Sequence, residues 1–169
     1  MNCRVFLALG SNLGDRAGHL RAGVSRLVRD GTVRVDAASS LWASEPVGFE
    51  GGEFLNAVVA GRTVLAPALL LERAKAAERA EGRAGSGRGS RTLDIDLLYY
   101  EDRVVREAGL EVPHPRRLER SFVLVPLGEV CGDATDPVTG RAVGDEVAAR
   151  IGAVGPAVRR VEGPEWWKA

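Results

Sequence analysis

Asp94 and Asp96 stand at i and i+2 in the stretch Arg91-Thr92-Leu93-Asp94-Ile95-Asp96-Leu97-Leu98-Tyr99-Tyr100, whose second half is apolar and aromatic without a break. Such a run reads as a strand buried on both faces. Side chains alternate along a strand, so both carboxylates point the same way, with backbones roughly 6.6 Å apart. Two adjacent carboxylates repel, and burying either one is costly unless something neutralises it. A divalent cation would do so, since Mg²⁺ takes one or two carboxylates together with substrate phosphates. A strand end where both acids meet water or nearby arginines would also serve. The pair alone leaves both readings open.

Other residues with chemical potential flank this strand. Ala84-Gly85-Ser86-Gly87-Arg88-Gly89-Ser90 precedes it directly, with Arg88 and Arg91 beside it. The segment reads as a plain linker or as a loop able to fold over an anion. Val112-Pro113-His114-Pro115 holds one of two histidines in extended backbone, because proline restricts the residue before it. Arg116, Arg117 and Arg120 follow. Asn56 lies inside an apolar run, where its amide must find backbone or ligand partners. Ser44 to Glu53 carries turn-forming Pro46 and glycines but also Val47 and Phe49, which fits either a cover over a site or an ordinary connection. Glu78 falls in the last turns of a helix, where the helix dipole disfavours an acid.

The elements that must position these residues follow from periodicity. Arg4 to Leu9 is a first strand. Asp15 is a fitting N-cap, and Leu20, Val24, Leu27 and Val28 recur at helical spacing until Gly31. Thr32 to Trp42 is a second strand and Phe54 to Thr63 a third. Pro67, the leucines 69–71, Ala74 and Ala77 make a second helix ended by Gly82. With the acidic strand the order is β-α-β-β-α-β, a ferredoxin-like α+β core. Residues 100–105 turn back as an added hairpin, Phe122 to Leu127 is apolar core, and Val143 to Ile151 is a short helix. The tail carries little pattern except Trp166 and Trp167, which are expected to pack on the body. The expectation is a three-layer αβα sandwich in one domain, 1–169.

The chain has 169 residues, 45% hydrophobic and 27% charged, with zero formal net charge. It can bury a proper core. The balance suggests neither a nucleic-acid wrap nor a membrane surface, so no nucleic-acid or membrane partner is expected. Cys3 and Cys131 show no metal-ligand spacing or pairing pattern, and no signal peptide or apolar run near 20 residues occurs. A cytoplasmic monomer is the expectation. The G-x-x-x-x-G-K-[ST] phosphate loop, the H-R-D and D-F-G kinase signatures and a nucleophile elbow are all missing. An acidic pair ringed by arginines and loops suits metal-assisted chemistry on a polyphosphate.

Five segments now occur in order: Ala8-Leu9-Gly10-Ser11-Asn12-Leu13-Gly14-Asp15-Arg16; Phe54-Leu55-Asn56-Ala57; Glu78 with Gly82-Arg83; Arg91-Thr92-Leu93-Asp94-Ile95-Asp96-Leu97; and Val112-Pro113-His114-Pro115-Arg116 with Arg120-Ser121-Phe122. Together they resemble the 6-hydroxymethyl-7,8-dihydropterin pyrophosphokinase family of folate biosynthesis, from the first strand to about Val130. The resemblance implies that ATP gives its β,γ-pyrophosphoryl group to the pterin hydroxymethyl oxygen, leaving AMP. It implies two Mg²⁺ ions on Asp94 and Asp96. Arg83, Arg91, His114 and Arg120 match positions that grip the nucleotide, Arg83 and Arg91 beside the reacting phosphates. Glu78 matches a nucleotide contact, and Leu97 stands where backbone and side chain meet adenine. Asn56 matches the reader of the pterin edge, Ser44 and Val47 lie in the pterin loop, and Phe54 and Phe122 match the residues that sandwich the ring.

The chain departs from the family pattern in the loop before the acidic strand. That loop is shorter, lacks the family's tryptophan, has Ser90 for proline and offers only Arg88 as a further ATP-binding arginine. Glu45 also stands where many members have a second proline-like residue. Two other classes share the β-α-β-β-α-β order. An RNA-binding module would place aromatics on its central strands with basic flanks, which the acidic pair opposes. A regulatory metabolite-binding domain would bind without turnover and has no need of two carboxylates on one strand face.

Overall fold

The computed structural model describes residues 2–83 and 89–168. Strand β1 (Cys3–Ser11) leads to α1 (Arg16–Arg29), then β2 (Arg34–Ala38), β3 (Leu41–Ser44) and β4 (Phe54–Thr63). Helix α2 (Pro67–Ala80) precedes β5 (Asp94–Tyr100), a hairpin of β6 (Val105–Glu107) and β7 (Leu110–Val112), α3 (Ser121–Val130), α4 (Val143–Arg150) and β8 (Val158–Glu162). Asp15 caps α1, its side chain accepting from the Gly18 N–H at 2.9 Å. Pro67 opens α2, and Gly82 closes it in the left-handed region, at a φ of 81°.

The main sheet runs β5-β1-β4-β3-β8, with β2 also paired to β4 and every pairing antiparallel. Its central order is that of the ferredoxin-like sheet, and β2 and β3 share the place of one edge strand. Alternation sorts the side chains into two cores. Val5, Leu7 and Leu9 of β1 meet Leu20, Val24 and Leu27 of α1 and Leu70, Ala74 and Ala77 of α2. Phe6, Val58, Ala60, Leu98 and Tyr99 meet Val123, Leu124 and Leu127 of α3 and Val143 and Val147 of α4. The expected three layers are therefore present.

Three elements differ from the sequence expectation. The strand expected over Thr32–Trp42 breaks at Ser39-Ser40. The Ser39 hydroxyl accepts the Val58 N–H and donates to the Ser40 carbonyl, and both Ser40 N–H and hydroxyl donate to Glu129 of α3. These side-chain bonds interrupt the ladder and turn the chain, although the Ser39 N–H still donates to the Val58 carbonyl at 2.8 Å. Residues 122–127 are helical despite Pro126, whose missing N–H costs one helix bond. Burial of Val123, Leu124, Leu127 and Val130 offsets that cost. The hairpin forms, but between β6 and β7 as a separate two-stranded sheet. The tail contributes β8, which pairs with β3, and Trp166, which is 2% exposed and donates its indole N–H to the Ser39 carbonyl at 2.8 Å.

Candidate active site

The α3–α4 face of the sheet is not fully covered. Beyond the N-terminus of α3 lies a cavity of about 770 Å³, walled by the loop after β3, the turn at His114 and Arg83 just after α2. Sheet register explains its floor. Gly10 of β1 pairs with Asn56 on one side and Asp94 on the other, and Ala8 pairs with Asp96. An amide, a bare glycine and a carboxylate thus form one row across three strands, about 10 Å from end to end at ordinary strand spacing. Gly10 leaves that row open. A Cβ there would stand 3.5 Å from Asn56 Oδ1 and 3.6 Å from the Phe54 ring, so a small side chain fits while a larger one would fill the floor.

At the acidic end, Asp94 receives Arg83 at 2.5 Å and Arg91 at 2.9 Å. Arg83 is placed by Glu78, whose carboxylate takes the same guanidinium at 2.7 Å and the Ile95 N–H at 2.7 Å. Burial pushes the Glu78 carboxyl above the ordinary range, against the pull of the Ile95 N–H and Arg83. Asp96 shares the face, and His114 Nε2 stands 3.8 Å from its carboxylate. Burial first, then the Asp94 charge, raises the Asp96 carboxyl. Burial lowers the His114 imidazole, against the pull of Asp96. His114 Nδ1 accepts the Arg116 N–H at 3.1 Å, so a neutral ring carries its proton on Nε2, toward Asp96. Arg120 lies over the Phe122 ring at 5.7 Å. Among the described residues no group of three or more His, Cys, Asp or Glu side chains is arranged to hold a metal ion by itself. Two carboxylates without further protein ligands fit Mg²⁺, which leaves its other positions to phosphate oxygens and water.

At the other end, the Asn56 amide nitrogen donates to the Trp42 carbonyl at 3.1 Å and to Ser44 Oγ at 2.9 Å. A carbonyl can only accept, so this bond fixes the amide orientation and leaves Oδ1 as the acceptor offered to a ligand. Phe54 and Phe122 line the same space with Ser44 and Val47, and Phe49 stands edge-on to Phe54 with ring centres 6.1 Å apart.

Most of the candidate residues meet in this cavity: Ser44, Val47, Phe54, Asn56, Arg83, Arg91, Asp94, Asp96, His114, Arg120 and Phe122. Glu78 does not line it. The residue is 7% exposed and stands behind Arg83 as its support. Leu97 does not line it either, because alternation carries its side chain to the opposite face, 5% exposed beneath α1 and α2. Arg88 and residues 84–88 of the glycine-rich loop lie outside the described residues. Arg116, Glu119 and Phe49 line the cavity although they were not singled out as site residues. Arg116 sits two residues after His114 in the same motif, a signal that could have found it. Asn12 was also missed. Its amide donates to the Gly52 carbonyl and Ser90 Oγ and accepts the Arg91 N–H at 2.7 Å, tying both ends of the cavity to the end of β1.

Comparison with known proteins agrees with this geometry. A family model described as 7,8-dihydro-6-hydroxymethylpterin-pyrophosphokinase matches residues 6–132. The 2-amino-4-hydroxy-6-hydroxymethyldihydropteridine pyrophosphokinase of Bacillus subtilis is 40% identical over 153 residues, covering 89% of this chain and 91% of that protein. Its namesake from Methylorubrum extorquens is 41% identical over 161 residues, covering 94% and 99%. Among solved structures, wild-type Plasmodium falciparum HPPK-DHPS superposes with a TM-score of 0.69 at 13% identity, a likeness of fold. That match covers 89% of this chain and 45% of the Plasmodium chain, so the chain spans less than half of that longer protein.

Proposed function

The chain belongs to the 7,8-dihydro-6-hydroxymethylpterin-pyrophosphokinase family, and we propose on that premise how its cavity performs the reaction. The enzyme transfers the pyrophosphoryl group of ATP to the hydroxymethyl oxygen of 6-hydroxymethyl-7,8-dihydropterin, giving AMP and the pterin diphosphate, a step of folate biosynthesis. The pterin occupies the Asn56 end. Phe54 and Phe122 supply apolar contact to its flat ring, and Asn56 Oδ1 accepts from its N–H edge. ATP occupies the acidic end, where Arg83, Arg91, Arg116 and Arg120 present guanidinium forks suited to phosphate oxygens. Arg88 adds a further arginine from the adjoining loop.

Asp94 and Asp96 would hold two Mg²⁺ ions. When bound, these neutralise phosphate charge and polarise the phosphorus under attack. Each Asp94 oxygen keeps a further lone pair beside its arginine. Among the described residues the cavity wall sets four arginines against Glu45, Asp94, Asp96 and Glu119, so most of the charge of ATP is left for the divalent ions to neutralise. Leu97 contributes backbone only, and Glu78 acts through Arg83. No helix among the described residues is long and apolar enough to cross a membrane.

The observation that carries this reading is the Asn56–Gly10–Asp94 row, in which a glycine alone separates an amide from a carboxylate on one floor. Incubation with ATP, Mg²⁺ and the reduced pterin tests it. AMP and pterin diphosphate should appear in equal amounts and vanish when EDTA removes the metal. Binding of both ligands without AMP would favour the regulatory metabolite-binding domain instead.

A further inference from the structure

Arg117 follows the His114–Arg116 turn but turns away from the cavity into the protein. Its side chain is 9% exposed, and its Nη2 meets Asp136, which is 0% exposed, at 2.7 Å. Nε donates to the same carboxylate at 2.8 Å and to Tyr99 Oη at 3.2 Å, and the Tyr99 hydroxyl donates to Asp136 at 2.9 Å. Asp136 also accepts the Val138 N–H at 2.8 Å. Burial raises the Asp136 carboxyl, but the Val138 N–H, the Tyr99 hydroxyl and Arg117 outweigh it and hold the group below its ordinary range. The remaining arm of Arg117, Nη1, reaches back to the His114 carbonyl at 3.2 Å. The His114 N–H is bonded in turn to the Leu98 carbonyl of β5 at 2.9 Å. One buried guanidinium therefore ties together the acidic strand (through Tyr99), the turn that carries His114 and Arg116, and the loop before α4.

We propose that the buried Arg117–Asp136–Tyr99 cluster is a positioning device for the nucleotide end of the cavity, setting the His114–Arg116 turn against β5 and thereby setting affinity for ATP. Arg117 and Asp136 are positioning residues, since neither lines the cavity. Apolar residues of similar volume often serve stability as well as a buried ion pair does, so the pair is better explained by what it orients. The proposal rests on the nucleotide assignment of His114.

The test uses the pair of substitutions Arg117→Met and Asp136→Asn together, which removes both charges while keeping an acceptor for the Val138 N–H. Melting temperature, amide exchange at His114, and calorimetric binding of a non-hydrolysable ATP analogue with Mg²⁺ and of the pterin are measured separately. The double variant should melt near the wild type, bind pterin as the wild type does, exchange faster at His114 and bind the analogue at least about tenfold more weakly. In turnover the loss should appear in KM for ATP more than in kcat. Arg117→Lys keeps a charge for Asp136 but loses the fork, and should recover stability fully and ATP affinity only in part. Wild-type analogue affinity in either folded variant would overturn the proposal, as would equal losses for both ligands. If the wild type itself binds no nucleotide, the functional reading fails. Exchange at His114 still decides the positioning role, which is overturned by unchanged exchange and upheld by faster exchange.

Discussion

At the scale of single residues, the two aspartates are not equivalent. Asp94 is gripped by two arginines, whereas Asp96 meets His114 Nε2 at the longer distance of 3.8 Å. Asp96 is raised by burial and by Asp94, so the folded protein holds a proton on it more readily than the unfolded chain does. Stability lent by that proton is present at low pH and is lost as pH rises from the unfolded value, about 4, through the raised one. Asp96→Asn should therefore melt higher than the wild type at pH 7, with the gain fading below about pH 4, while turnover falls by at least about a hundredfold. Wild-type turnover at saturating Mg²⁺ would overturn the metal assignment. Asn56→Ala should weaken pterin binding far more than ATP binding, because a site built to hydrogen-bond an edge loses its acceptor. Equal losses in calorimetry would make Asn56 a structural amide between Trp42 and Ser44. Much of this was legible in the sequence, because motif spacing carries residue type. The side on which Leu97 and Glu78 fall was less so. Strand alternation from Asp94 and Asp96 already implied the position of Leu97, while the role of Glu78 depends on how Gly82 turns Arg83 back over the helix end.

At the scale of elements, α1 and α2 were readable from helical spacing and their caps or breakers, and β1, β4 and β5 from short apolar runs bounded by turn residues or charges. The break at Ser39-Ser40 was not, since it depends on Glu129, 89 residues away in sequence from Ser40. Helix α3 was hidden by Pro126 and by apolar residues on most of its faces, which blur the helical period. Strand β8 is almost wholly exposed, so it has no alternation to read. The element on which the site depends most is β1, whose end supplies the small floor between the two ligand ends. Gly10→Val suits a strand and should leave the melting temperature near wild type. Its branched methyls would stand between Asn56 and Asp94, so pterin affinity should fall at least about tenfold and turnover with it, on the order of one lost pocket contact or more. Normal steady-state kinetics in a folded Gly10→Val enzyme would show that the ligands do not meet over β1.

At the scale of the whole molecule, the third layer is shorter than the sheet it covers, and the uncovered end is the cavity. The tail completes the sheet edge rather than the site. Trp166 packs in the α1–α2 core and bonds Ser39 at the strand break, so Trp166→Ala should cost about 3–5 kcal/mol, a fall of roughly 6–20 °C in Tm for a chain of this size. A melt within about 2 °C of wild type would contradict that packing role. The central claim is that one cavity moves two phosphates at once from ATP to a pterin. ATP labelled in separate experiments at the β and at the γ phosphorus measures this most directly. The account predicts that both labels move to the pterin product in equal yield and that the nucleotide left behind is unlabelled AMP. Transfer of the γ label alone, with the β label retained in ADP, would contradict it.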